Sequence, residues 1–229
     1  MTNENKRVII DNMNKINFDK CYFLIPARKG SKGFPLKNRK LFSRTADIIP
    51  DNLANKVFVT TDDEEIQNMC SQYKFNYIRR PKELATDTSS LKDVLKHFVA
   101  TKNLKDDATI ILLFLTYPER TWVDVLEIYE FFKVNKGTSL VCAEELEQHP
   151  FLCFYELENN KGKLLIEHKL YRRQDYPLCF KYSMFLGIYN VKMLENLHDL
   201  LVEEDTLYFK LKSKKVDVDY EGDYNETRG

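Results

Sequence analysis

The chain has 229 residues, of which 43% are hydrophobic and 31% charged, enough for one large domain with a real core and a solvated surface. Lys plus Arg and Asp plus Glu both number 35, and this zero formal net charge argues against a dedicated nucleic-acid binder. Five scattered cysteines without a CxxC pair argue against a disulfide framework or a zinc site; no apolar leader follows the polar residues 1–7 and no run is long enough to span a membrane, so a cytoplasmic protein with reduced thiols is expected.

Residues 1–19 are polar apart from Val8, Ile9 and Ile10 and read as an N-terminal extension, with a single domain expected over 20–229. The apolar run 21–25, stopped by Pro26, predicts a buried first strand. A glycine- and lysine-rich stretch follows it. Residues 41–55 carry Pro50 and show little helical periodicity. A second strand is predicted over 56–61. Asp62, Asp63, Glu64 and Glu65 then suit the first turn of a helix running to about Tyr73, because a helix N-terminus favours negative charge.

Residues 75–78 predict a third short strand, and 88–102 an amphipathic helix with Leu91, Val94, Leu95 and Phe98 on one face. The most apolar strand, 109–115, suits the centre of a parallel sheet. A helix over 123–133 and a strand over 138–143 complete the alternation. After Pro150 the pattern changes: aromatic-rich strands at 151–156 and 185–190 flank a polar stretch around Asn159 and Asn160. Residues of about 150–190 therefore read as an excursion from the main sheet, a candidate dimerisation and substrate element. A helix near 191–201 and a late strand at 215–218 close the chain. The alternation predicts an α/β fold: a doubly wound, mainly parallel sheet with helices on both faces.

The stretch Ile25-Pro26-Ala27-Arg28-Lys29-Gly30-Ser31-Lys32-Gly33-Phe34-Pro35-Leu36-Lys37-Asn38 follows a predicted strand. Gly30 and Gly33 let the backbone bend and present N–H groups to anionic oxygens. Arg28, Lys32 and Lys37 add charge, and Ser31 and Asn38 add neutral hydrogen bonds. Neither the Walker A pattern nor GxGxxG is present, and a basic surface turn is the plainer alternative. Asp217 and Asp219, spaced i, i+2, share one face of a strand. Such a pair can complete a Mg²⁺ shell with phosphate oxygens and water, or simply solvate an edge strand.

These strings, in this order, resemble the N-acylneuraminate (sialic acid) cytidylyltransferases. The loop resembles that family's opening motif, and Val59-Thr60-Thr61-Asp62-Asp63-Glu64-Glu65-Ile66 a second motif. Arg79-Arg80-Pro81-Lys82-Glu83-Leu84-Ala85-Thr86-Asp87-Thr88-Ser89, Arg172-Arg173-Gln174-Asp175-Tyr176-Pro177 and Val216-Asp217-Val218-Asp219 resemble three more. The resemblance covers about residues 21–223. It implies a CTP-dependent nucleotidyltransferase that uses Mg²⁺ and acts as a homodimer on an anionic small molecule.

It further implies roles for single residues. Arg28, Lys32 and Lys37 would hold the triphosphate beside Ser31 and Asn38, with Arg28 and Lys37 as the catalytic pair. The Ala27 backbone, Arg80, Asp87 and Ser89 would meet the nucleotide. Arg173 and Gln174 would grip the acceptor, and Asp217 and Asp219 the metal. Two departures fall where the acidic sugar should sit: Phe114 and Tyr117 replace a glutamine and a serine of the family, and the asparagine before Gly187-Ile188-Tyr189 is missing. A site that has lost such partners discriminates poorly for the usual sugar. The resemblance thus leaves open a sialic-acid-like nonulosonate, another anionic acceptor such as a phosphonate, or a non-catalytic CTP binder.

Overall fold

The computed structural model describes residues 16–30 and 33–227. Seven strands form the main sheet: β1 (Cys21–Pro26), β2 (Val57–Thr61), β3 (Asn76–Arg79), β4 (Thr109–Leu112), β5 (Ser139–Glu145), β8 (Phe180–Asn190) and β9 (Leu207–Lys210). Their order is β3-β2-β1-β4-β8-β5-β9. β1 pairs in parallel with β2 and β4, β2 with β3, and β5 with β9, while β8 runs antiparallel to both β4 and β5. A separate hairpin joins β6 (Phe154–Leu157) to β7 (Lys161–Leu164). The helices are α1 (Lys37–Ala46), α2 (Glu64–Gln72), α3 (Leu91–Lys102), α4 (Trp122–Val134) and the short α5 (Glu221–Glu226).

Alternation along the strands feeds two cores. Phe23, Ile25, Val59 and Ile111 point into one, with Phe42 of α1, Ile66 of α2 and Val125 of α4. Leu24, Phe58, Ile110 and Leu112 point into the other, with Leu95 and Phe98 of α3. Both faces are covered, which is why β1, β2 and β4 read as unbroken apolar runs. Three helix starts carry the capping chemistry their sequences offer: Asp63 accepts from the Glu65 amide, Ser90 from Asp93, and Thr121 from Asp124 in a reciprocal box.

The structure corrects four sequence expectations. Residues 37–46 are helical, because Leu41, Phe42, Thr45 and Ala46 bury one face and the helix begins before the window that lacked periodicity. Residues 185–190 are not part of the excursion: they belong to β8, inserted between β4 and β5, with Phe185, Leu186, Ile188 and Tyr189 buried. The apolar spacing near 191–201 marks burial of Leu194, Leu197 and Leu201, while the backbone makes only a 3₁₀ turn at Val191–Met193 and further turns. Leu201 lies at φ 60°, a left-handed position that cannot continue a helix. Residues 215–218 join no strand ladder; Val218 donates its N–H to the Thr116 carbonyl at 2.8 Å and buries its side chain, so Asp217 and Asp219 flank it on an extended segment.

Packing begins ahead of residue 20. Phe18 is buried with Phe23, Trp122 and Tyr129, and its carbonyl accepts from Lys56 Nζ at 2.7 Å. Residues 1–15 of the expected extension lie outside the described residues.

Candidate active site

A cleft of about 370 Å³ opens beyond the carboxyl ends of β1, β2 and β4, lined among others by Arg28, Lys37, Asn38, Arg80, Asp87 and Phe114. Parallel α/β sheets bind their ligands at this end. The backbone leaving β1 is tied at three points. The buried Ala27 donates its N–H to the Thr60 carbonyl at 3.0 Å. Lys29 N–H donates to Asp62 Oδ1 at 2.7 Å, and Asn38 Nδ2 donates to the Arg28 carbonyl at 2.8 Å. Asn38 thus braces the loop from the first turn of α1. Ser31 and Lys32, two of the expected ligands, lie outside the described residues.

Past the loop, Phe34 is fully buried against Tyr224 and anchors a turn in which Lys37 N–H donates to the Phe34 carbonyl at 3.1 Å. Leu36 sits at φ 57° just before α1, and among the described residues no side chain caps that helix. The Lys37 amide is taken by the Phe34 carbonyl, and the amides that follow it in the first turn face the positive end of the helix, which favours an anion.

Two ion pairs cross the cleft: Arg28 to Asp87 Oδ1 at 2.5 Å, and Lys37 to Asp219 Oδ1 at 2.9 Å. Gly33 is required beside the second pair, since a Cβ there would stand 2.7 Å from the Asp219 carbonyl oxygen. Arg80 is buried below the cleft, with its guanidinium on the Thr60 carbonyl at 3.0 Å and on Thr60 Oγ1 at 3.3 Å. Burial lowers it to about 10, with Asp62 opposing and Arg28 reinforcing the shift, so its charge persists at neutral pH. Ser89 Oγ donates to the Glu83 carbonyl at 2.8 Å and accepts from the Thr86 amide at 3.2 Å, bracing the turn that carries Asp87.

Asp217 accepts from the Tyr117 hydroxyl at 3.1 Å. Burial and then the Asp219 charge raise its carboxyl, against hydrogen bonds from Thr116 and Tyr117. Tyr117 does not face the cleft. Its ring is buried edge-on against Phe185 at 5.5 Å, and its hydroxyl lies 3.3 Å from Ser183 Oγ, which donates to Glu144 Oε1 at 2.7 Å. Phe114 does line the cleft. Arg173 and Gln174 are exposed, and Arg173 borders a different hollow with His149 and Tyr176, away from the loop.

Among the described residues no group of three His, Cys, Asp or Glu side chains gathers. Two mutually repelling carboxylates with oxygen-only donors still suit a hard divalent cation that takes its remaining ligands from phosphates and water. Asp62, Thr60, Thr116 and Met184 also belong to the cleft or its supports, and sequence reasoning missed them. The acid run Asp62–Glu65 concealed a division of labour, in which Asp62 holds the loop and Asp63 caps α2.

A family model described as cytidylyltransferase matches residues 22–193. N-acylneuraminate cytidylyltransferase of Streptococcus agalactiae serotype III (strain NEM316) is 28% identical over 213 residues, covering 88% of this chain and 51% of that protein. Post-translational flagellin modification protein B of Campylobacter coli is 28% identical over 219 residues, covering 87% of this chain and 90% of that protein. The chain thus spans about half the length of the streptococcal relative. A solved CMP:2-keto-3-deoxy-manno-octonic acid synthetase, complexed with CTP, superimposes with a TM-score of 0.63 at 15% identity over 91% of this chain and 96% of that one, a likeness of fold.

Proposed function

The chain belongs to the cytidylyltransferase family, and from that premise we propose that it transfers CMP from CTP to an acidic sugar of the sialic-acid-like nonulosonate class, releasing pyrophosphate. The convergence of Arg28, Lys37 and Arg80 on one cleft, with Asp217 and Asp219 beside it, carries this reading. An acceptor hydroxyl attacks the α-phosphorus in line. The bond to the pyrophosphate oxygen breaks, and the hydroxyl proton passes to solvent.

Arg28 and Lys37 offset the charge that grows on the leaving pyrophosphate. Both are held by carboxylates in this structure, so phosphate oxygens compete with Asp87 for Arg28 and with Asp219 for Lys37. Asp217 and Asp219 would hold Mg²⁺, which supplies Lewis-acid charge beside the phosphates when bound. Lys37, giving up Asp219, would meet a phosphate oxygen. Asp62 and Asn38 keep the loop backbone in place through this exchange.

The exposed apolar residues of the excursion support a homodimer. Arg173 and Gln174 stand outside the cleft of their own protomer, so they would meet an acceptor only across that contact. Among the described residues no helix is long and apolar enough to cross a membrane. Five unpaired cysteines support a reducing, cytoplasmic setting.

The test is to incubate the protein with Mg²⁺, each nucleoside triphosphate and a panel of acidic acceptors, and to measure pyrophosphate. Turnover is expected with CTP and an acidic sugar, falling about 10²-fold in Asp219→Ala. Failure to bind CTP rejects the reading. Tight CTP binding without turnover on any acceptor is the behaviour of a non-catalytic binder, and turnover on a phosphonate alone moves the acceptor class.

A further inference from the structure

The cleft is lined by chemically unlike groups: the cations Arg28, Lys37 and Arg80, and the apolar side chains of Phe114 and Met184, which share one wall. The antiparallel register that pairs Leu112 with Gly187 brings the chain after β4 beside Met184 and Phe185 of β8. Arg120, buried beneath, donates to both the Phe114 carbonyl, at 2.7 Å, and the Phe185 carbonyl. The backbone of this wall is therefore fixed, and the Phe114 carbonyl already has a donor.

The wall adjoins the proposed reaction centre, because Asp217 hangs on Thr116 and Tyr117. The transfer proposed above would bring its acceptor against this wall. The Thr116 side chain, the hydroxyl of this wall, is engaged with Asp217. A sugar hydroxyl turned toward Phe114 and Met184 leaves water and finds no partner in either side chain, which is unfavourable. A methyl group there displaces the same water without that loss.

We infer that Phe114 and Met184 select an acidic sugar that carries an apolar group, a methyl in place of a hydroxymethyl, on the side facing them. This rests on the CTP-dependent transfer proposed above. It assigns acceptor specificity to two residues and makes the acceptor a deoxy sugar acid.

The experiment compares N-acetylneuraminate with a set of its single-deoxy analogues, with CTP and Mg²⁺, by kcat/KM for pyrophosphate release. In parallel, acceptor binding to the CTP-saturated protein is measured by calorimetry. At least one deoxy analogue is expected to be preferred over the parent by about 10-fold to 10²-fold, the range in which an apolar pocket rejects an added hydroxyl. Met184→Asn and Phe114→Gln should each lower that ratio by several-fold. The ratio is read within one preparation, so partial misfolding cancels, and the exposed Met184 provides a variant that spares the core.

The inference is overturned if the parent matches or beats every analogue, if both variants leave the ratio unmoved, or if no acceptor binds. Absence of turnover with the binding preference intact overturns the transfer reading and upholds the selectivity. The two failures are thereby told apart.

Discussion

The Tyr117 hydroxyl donates to Asp217 at 3.1 Å from a ring buried against Phe185. Behind it, Ser183 Oγ lies 3.3 Å away and Glu144 Oε1 accepts from Ser183 at 2.7 Å, so a line of buried polar groups runs from β5 through β8 to the acidic segment. Asp217 is proposed to hold Mg²⁺; groups behind a metal ligand fix its orientation, and their loss typically costs 10-fold to 100-fold in metal affinity. Tyr117→Phe keeps the ring packing and removes only the donor. The Mg²⁺ concentration for half-maximal turnover at saturating CTP is expected to rise about 10-fold, with the KM for CTP at saturating Mg²⁺ changing less. An unchanged Mg²⁺ dependence would reject Tyr117 as the residue that positions Asp217. The sequence shows that Tyr117 departs from the family it resembles, but not which way the side chain turns, because the rings of β8 that receive it are more than 60 residues away. Arg28, Lys37 and Asn38 were legible as neighbours because one short stretch, the loop and the first turn of α1, carries them all. Asp62 was not, since four consecutive acids look alike until the strand end aims one at the loop and the next at the helix.

α1 and α2 are joined through Asp63, which caps α2 by accepting from the Glu65 amide at 3.1 Å and receives Arg39 Nε and Nη2 of α1, each at 2.7 Å. Burial alone would raise this carboxyl, but the Arg39 hydrogen bonds and the Glu65 amide outweigh it, so the net shift is downward. A carboxyl lowered on folding contributes stability that is fully present above its unfolded value of about 3.9 and is lost as pH falls through the folded value. Asp63→Asn keeps an N-cap side chain and removes the charge. We expect it to cost about 1–2 kcal/mol at pH 7 by urea unfolding, and this gap should shrink toward zero as the pH is lowered below the native carboxyl value. A gap independent of pH would show that the cap, rather than the ion pair, joins the helices. β1, β2 and β4 were legible because both of their faces are buried and their sequences stay largely apolar. α1 was obscured because its face of Leu41, Phe42, Thr45 and Ala46 is narrow and polar residues surround it. The segment over 215–218 has strand-like alternation without a ladder, since burial of Val218 and one bond to Thr116 are enough to extend it.

At the scale of the molecule, the excursion is the part whose own contacts do not explain its composition. An isolated two-stranded hairpin is marginal in water, and β6 and β7 are exposed along their whole length. The base is braced by rings: Phe151 stacks on His168 at 4.4 Å, His149 and Tyr176 close the cluster, and His149 Nε2 lies 2.9 Å from the Pro177 carbonyl. The outer surface nevertheless presents Phe154, Tyr155, Leu157 and Leu164, with Tyr171 93% and Leu178 82% exposed. Apolar exposure of this extent marks an interaction surface. A twofold contact between identical excursions would cover it and add partners to the hairpin without requiring any second kind of chain. Sedimentation at micromolar concentration should therefore give a dimer, and thermal unfolding should shift upward with protein concentration. Tyr155→Glu combined with Leu178→Glu places charge on that surface and should yield a monomer whose main sheet still folds. Its turnover should fall with dimer content, because Arg173 and Gln174 lie outside their own cleft and lose the neighbour they would serve. A wild-type monomer at tens of micromolar would reject the contact, and a fully active monomeric variant would reject any role of Arg173 and Gln174 in holding the acceptor.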